Sequence, residues 1–331
     1  MKQRLDYIDI AKGIGIILVV LSHTRYSEIM YYTSAFYVSI FFFCSGYTSS
    51  PIKNISLKEN FWRHAVKLLK PYLFFSVLLL IIFHNVSLRA FAGIVYSRYC
   101  LYPFGTEPDI VRFMIIGNYP LWFLTCMIVA YFLYYQIIYH PKYQYYIATS
   151  YLLVTIALNL LPILLPWSID TAFLMALLMY AGNLTRKYIP AAFGLRPHPI
   201  VIISIVMYFV LLPLCNGINL SVREYGLSVG VCLLAALFGS IAVIYISRLL
   251  ENTIIGKVIR QIGKHSLTIF CIQIPFILIG KHITEWIFDD IAKSQFTLVM
   301  TAIIEATTAI LGGYLVSLLL QWNNKIKSLV F

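Results

Sequence analysis

The stretch that decides the fold is Arg4-Leu5-Asp6-Tyr7-Ile8-Asp9-Ile10-Ala11-Lys12-Gly13-Ile14-Gly15-Ile16-Ile17-Leu18-Val19-Val20-Leu21-Ser22-His23-Thr24. It has the apolar content of a membrane helix, yet it carries Asp9, Lys12 and His23. Helix residues advance by about 100° each, so the step of eleven from Lys12 to His23 returns to within about 20° of the starting direction. Asp9, three residues before Lys12, falls on the same side. The three polar groups form one stripe along roughly 20 Å of helix. Ionisable groups in a membrane helix are costly and face a protein interior or a wet cavity. The plainer alternative is that Asp9 and Lys12 are interfacial and His23 sits near the far boundary.

Composition carries this reading to the whole chain. Of 331 residues, 60% are hydrophobic and 11% charged, and the mean hydropathy is +0.83. Soluble domains are nearer 45–50% apolar and about 25% charged. The sequence therefore predicts an all-α, polytopic membrane helical bundle, with residues 1–331 as a single integral membrane domain. The net charge of +12 does not point to nucleic acid, because no basic stripe stands apart from the apolar segments. Loop cations and anionic membrane lipid account for it. The six cysteines lie mostly inside apolar runs, with neither zinc nor disulfide spacing, and no metal is expected. The first apolar run lacks a small-x-small cleavage site and is interrupted by Asp6, Asp9 and Lys12, so it reads as a retained helix.

Spans of about 20 apolar residues are expected at 8–25, 33–50, 62–84, 117–139, 144–164, 168–186, 198–216, 226–248, 264–282 and 296–322, about ten in all. Residues 88–102 read as a re-entrant or interfacial piece. With a cytoplasmic N-terminus, fourteen loop lysines and arginines, among them Lys2, Arg4, Lys53, Arg196 and Lys325, fall on that side. Seven fall opposite: Arg25, Arg89, Arg98, Arg112, Arg223, Lys281 and Lys293. The imbalance places both termini in the cytoplasm, with Lys12 toward the cytoplasmic half of the first helix and His23 toward the outer half.

Other residues are candidates for chemistry or for packing. Ser45 and Gly46 close the second span and permit close backbone approach. Arg63, Lys67 and Lys70 share one helix face and lead into Pro71, an arrangement suited to phosphate or to snorkelling toward lipid headgroups. Trp122 reads as an interfacial aromatic. Asp170 reads as a helix cap or an acceptor-side group. Gln273 lies inside a late span. Glu305, in mid-span, reads as a functional group, an ion pair, or a neutral acid that joins helices.

Taken in order, these motifs resemble the acyltransferase-3 family of integral membrane acyltransferases. The resemblance rests on Asp9, Lys12, Gly13 and His23, on Phe41-Phe42 with Ser45-Gly46, and on the basic segment from Arg63 to Pro71-Tyr72. It continues through Leu121–Leu124, Pro166-Trp167 with Asp170 and Gly182, and Ile262-Gly263 with Ser266. Three positions depart from the pattern. Lys12 stands where arginine is usual, His64 and Lys67 replace an arginine pair, and Gln273 occupies a position often held by histidine.

The resemblance implies acetyl-CoA or a related acyl-CoA as donor, held by Lys12, Arg63, Lys67 and Lys70 on the cytoplasmic side. It implies a glycan or lipid-linked saccharide hydroxyl as acceptor, and residence in the bacterial plasma (inner) membrane. His23 would serve as catalytic base or covalent relay, with Asp9, Ser45, Trp122, Asp170, Gln273 and Glu305 in support. An interior cavity is expected between the first, third and fourth spans. The alternative is a transporter or flippase for an anionic or lipid-linked substrate.

Overall fold

The computed structural model describes residues 5–26, 28–49, 55–103, 120–189, 194, 198–288 and 294–331. The loop cations Lys2, Arg4, Lys53, Arg112, Arg196 and Lys293, and the first residues of the expected span 117–139, lie outside the described residues. The fold is all-α. Helix α1 runs Asp6–Leu21, α2 Ile29–Thr33, α3 Ser39–Thr48, α4 Leu57–Ile82, α5 Leu88–Tyr96, α6 Trp122–Tyr139 and α7 Gln144–Leu158. There follow α8 Ile169–Tyr188, α9 Pro199–Leu211, α10 Val229–Leu250, α11 Ile254–Lys264, α12 Ser266–Ile287, α13 Gln295–Trp322 and α14 Asn324–Val330. Among the described residues, the extended structure is a two-stranded antiparallel ribbon, β1 Ile218–Asn219 with β2 Glu224–Tyr225.

Five helices among the described residues, α4, α6, α10, α12 and α13, are long and apolar enough to cross a membrane. The other expected spans are shorter or divided. The first covers 16 residues in α1. The second splits into α2 and α3 around the turn 34–38. The fifth, α7, covers 15 residues, and the seventh, α9, runs into a 3₁₀ turn at Leu212–Cys215. Helix α8 has the length but contains Asp170, Arg186 and Lys187. The 88–102 piece is the short helix α5. Helix α11 was not anticipated, because only one of its faces is apolar.

Helix α1 lies at the centre, against α3, α10, α11, α12 and α13. Glycines let backbone meet backbone around it. A Cβ on Gly13 would lie 2.2 Å from the Ile259 carbonyl oxygen, and one on Gly263 would lie 1.8 Å from that of Asp9. The Asp9–Gly13 and Ile262–Gly263 motifs, some 250 residues apart, thus meet at one helix crossing. Helices α3 and α8 cross the same way: a Cβ on Gly46 would lie 1.8 Å from the Met179 carbonyl, and one on Gly182 would lie 2.3 Å from that of Phe43. Without water to drive apolar association, membrane helices depend on such close packing.

A buried ion triad ties the loops at one end of the bundle. Arg98 and Arg223, counted above as external loop cations, are instead buried partners of Asp170. The Arg98 guanidinium pairs with Asp170 Oδ1, and Arg223 Nη1 lies 3.3 Å from Oδ2. Asp170 also accepts from the backbone N–H groups of Leu165 at 3.0 Å and Thr171 at 2.9 Å. Arg98 donates onward to the Leu165 carbonyl at 3.0 Å and the Ser221 carbonyl at 2.5 Å. Thr171 Oγ1 donates to the Leu220 carbonyl at 3.2 Å. The segment 219–221 is therefore held by groups that Asp170 itself holds.

Two stability outcomes follow. Gly46→Ala is expected to lower stability by about 1–3 kcal/mol through overpacking. Gly230→Ala, whose Cβ would meet only Ser228 Oγ at 4.0 Å, should stabilise or be neutral. Thermal midpoints in detergent compare the two; equal midpoints would refute the packing account. Asp170→Asn leaves two buried guanidinium groups short of a countercharge and should cost about 3–5 kcal/mol. Glu59→Gln, in the exposed pair with Arg63 at 2.8 Å, should cost at most about 1 kcal/mol, as read by the same thermal assay.

Candidate active site

Of the three polar groups read on the first span, Lys12 and His23 each line a cavity, and Asp9 lines neither of the two. The larger, about 260 Å³, is lined by Lys12, Phe41, Ser45, His64, Lys67, Leu68, Phe123, Met127, Tyr131, Ser266, Leu267 and Phe270. The smaller, about 40 Å³, is lined by Val19, His23, Ser34, Tyr37, Val38, Pro120, Trp122, Asn219, Leu220, Ser221 and Phe270. The expected cavity between the first, third and fourth spans corresponds to the larger one, lined by α1, α4 and α6, with α3 and α12 completing it.

The expected span 8–25 puts His23 inside the first helix, but α1 ends at Leu21 and His23 lies two residues past it, in the turn that follows. Polar side chains cap that end. Ser22 Oγ donates to the Val19 carbonyl at 2.8 Å, and Thr24 Oγ1 donates to the Leu21 carbonyl at 2.7 Å. His23 Nδ1 lies 2.7 Å from the Val19 carbonyl. A carbonyl only accepts, so Nδ1 carries the proton and the neutral ring is basic at Nε2. Glu305 anchors the turn that follows. Fully buried in α13, it accepts from the Arg25 backbone N–H at 3.1 Å, and Arg25 Nε stands 3.5 Å from its other oxygen. Arg25 thus stands within ion-pair reach of Glu305, and it reaches Glu285 as well.

The structure divides the basic face of α4. Lys67 lines the larger cavity with Lys12. Arg63 turns to Glu59 at 2.8 Å on the exposed side, and Lys70 donates to the Ser328 carbonyl at 2.8 Å, against α14. Neither Arg63 nor Lys70 lines either of these two cavities. Pro71 has no N–H, so it removes the helical partner of the Lys67 carbonyl.

Ser45 lines the larger cavity, with its Oγ 3.9 Å from Met127 Sδ, while its neighbour Gly46 serves packing. Trp122 lines the smaller cavity. Asp9 is buried at the α1–α11 crossing. Asp170 belongs to the buried triad and fixes the 219–221 wall from behind. Gln273 is fully buried and donates through Nε2 to the Phe270 carbonyl at 3.3 Å, so it braces a residue that lines both cavities.

His64, which the motif reading named only as a departure from an arginine pair, lines the larger cavity, and Phe270 and the 219–221 segment line cavities without having been selected. His64 Nδ1 lies 3.0 Å from both the Asn60 carbonyl and the Tyr135 hydroxyl, and its ring stacks on Tyr131 at 4.7 Å between centroids. Its spacing of three from Lys67 is a signal that sequence carried. No comparable signal marked Phe270, one apolar residue in an apolar helix.

As a chemical arrangement, the larger cavity offers two ammonium groups, an imidazole and hydroxyls to an anionic, extended ligand. The smaller offers an oriented base. A comparison with curated proteins and one with solved structures each returned no match. A family model described as an acyltransferase domain matches residues 5–322, nearly the whole chain. With its five long apolar helices and this match, the chain belongs to the acyltransferase-3 family and is a membrane acyltransferase.

Proposed function

We propose that the protein moves an acetyl or other short acyl group from acyl-CoA to a hydroxyl of a surface glycan or lipid-linked saccharide. The observation that carries this reading is that α1 and the turn after it place Lys12 on the larger cavity and His23 on the smaller. In this reading both termini are cytoplasmic, about ten segments traverse the bilayer, and the membrane is the bacterial inner membrane. The donor enters the larger cavity from the cytoplasm. Lys12 and Lys67 hold its phosphates as point charges, and His64 and Ser45 add hydrogen-bonding capacity. The acceptor hydroxyl approaches the smaller cavity from the other side.

His23 Nε2 takes the proton of the acceptor O–H as the oxygen attacks the thioester carbonyl. The C–O bond forms, the C–S bond breaks, and the proton on the imidazolium passes to the departing thiolate. Products are the acyl ester and free CoA thiol. Glu305, through Arg25, holds the turn after His23 so that the ring keeps its direction.

Transfer from radiolabelled acetyl-CoA in membranes, read alongside O-acetyl analysis of surface polysaccharide, tests the reading. His23→Ala should lower transfer about 10²–10⁴-fold, the usual contribution of a general base, with expression retained. Full activity in that variant would overturn the assignment, and glycan movement without transfer would favour a transporter. Lys12→Ala and Lys67→Ala should each raise the KM for acetyl-CoA about 10–100-fold, corresponding to a charge-assisted hydrogen bond of about 1.5–3 kcal/mol. Arg63→Ala and Lys70→Ala should change it by less than about threefold, because exposed ion pairs contribute little. Equal effects across all four would argue against the division of the α4 face.

A further inference from the structure

Phe270 of α12 lines both cavities. Its ring packs on Phe123 at 4.8 Å between centroids, and Phe123 packs in turn on Phe41 at 5.6 Å. Trp122, next to Phe123, lines the smaller cavity. All four side chains are buried. On the α1 side, the stripe from Lys12 to His23 passes through Ile16 and Val19, both buried and apolar. An aromatic and aliphatic layer therefore stands between the cationic chamber and the imidazole chamber.

The distances make this layer matter. Lys12 and His23 are eleven residues apart, about 16 Å along the helix at about 1.5 Å per residue. A donor whose phosphates rest on Lys12 and Lys67 must extend its thioester arm across the layer to reach His23. The layer has no charge with which to carry an ion, and what it admits is decided by shape.

We infer that Phe270 is the specificity-determining partition between the two chambers. It closes the passage when no donor arm is present, and it admits a slender thioester arm with a short acyl group while rejecting bulkier acyl groups and small ions. Phe270 borders both chambers, and Gln273 ties its carbonyl from one turn further along α12. The acyl-length part of this inference rests on the acyl-transfer reading; the closure part does not.

Chemical labelling separates the two. Ser34 lines the His23 cavity, and the six native cysteines are all buried, so the unsubstituted chain supplies the background for a Ser34→Cys reporter. A small anionic methanethiosulfonate is added to membrane vesicles of either orientation. With Phe270 intact, the reporter should react only from the face opposite Lys12. Adding Phe270→Ala should raise its reaction from the Lys12 face at least about tenfold, and Phe270→Trp should not. Retained labelling from the opposite face shows that each variant is folded; where Phe270→Ala fails this check, Phe270→Leu is read in its place. Equal labelling from the Lys12 face with and without the substitution would overturn the partition.

In the same vesicles without the reporter, the preference for acetyl-CoA over butanoyl-CoA should fall about tenfold or more in Phe270→Ala, the scale on which apolar sites discriminate methylenes. An unchanged preference would overturn the selectivity role. A native protein that transfers no acyl group from either donor would overturn the acyl-transfer reading and its acyl-length corollary, while the labelling still decides whether Phe270 closes the passage.

Discussion

Backbone passing close to backbone at glycine is the constraint on which the rest of the architecture depends. At the crossing of α1 and α11, Gly13 and Gly263 leave no room for a Cβ. The same holds for Gly46 and Gly182 between α3 and α8. Between α12 and α13, a Cβ on Gly280 would lie 2.8 Å from the Glu305 Cα. These contacts coincide with the polar residues of the site. Lys12 precedes Gly13, Ser45 precedes Gly46, and Glu305 faces Gly280. Dispersion forces between closely packed helices fix the backbone at the positions from which those side chains project. A site held in this way needs little reorganisation when substrate arrives.

Charge inside the bundle falls into two classes. Asp170 with Arg98 and Arg223, and Glu305 with Arg25, are sets in which buried carboxylates meet guanidinium and backbone N–H groups. A planar guanidinium with several directed donors suits such locks better than an ammonium. Lys12 and Lys67 belong to the other class, as flexible point charges that line a cavity. The locks sit behind the His23 cavity: one holds segment 219–221 and the other holds the turn after His23. Arg25, Arg98 and Arg223 thus fix geometry, while Lys12 and Lys67 line a cavity.

Much of this was legible in the sequence. The eleven-residue step from Lys12 to His23 placed both on one stripe, because helical periodicity is a local property. Close packing at Gly46 was readable from the adjacent small residues. The α4 cations show where local reading stops. Spacing put Arg63, Lys67 and Lys70 on one face, but only Lys67 lines the cavity, since Glu59 and the Ser328 carbonyl claim the other two. Similarly, Asp170 looked like a helix cap, and its two arginine partners lie 72 and 53 residues away. Spans were harder to count, because α1 and α3 are short, apolar and buried, and hydropathy cannot distinguish a buried helix from one that meets lipid.

By itself, the sequence determined an all-helical membrane protein, a polar stripe on its first helix, and the motif order of a membrane acyltransferase. Each follows from composition, from the helical repeat, or from residues close together in the chain. Only the tertiary structure decided that Lys12 and His23 line two different chambers and that Phe270 borders both. It also decided that the glycines of α1 and α11 meet, and that Asp170 and Glu305 serve as locks. Those facts depend on which helix faces which, and that is set by close packing and buried charge pairing between segments tens to hundreds of residues apart.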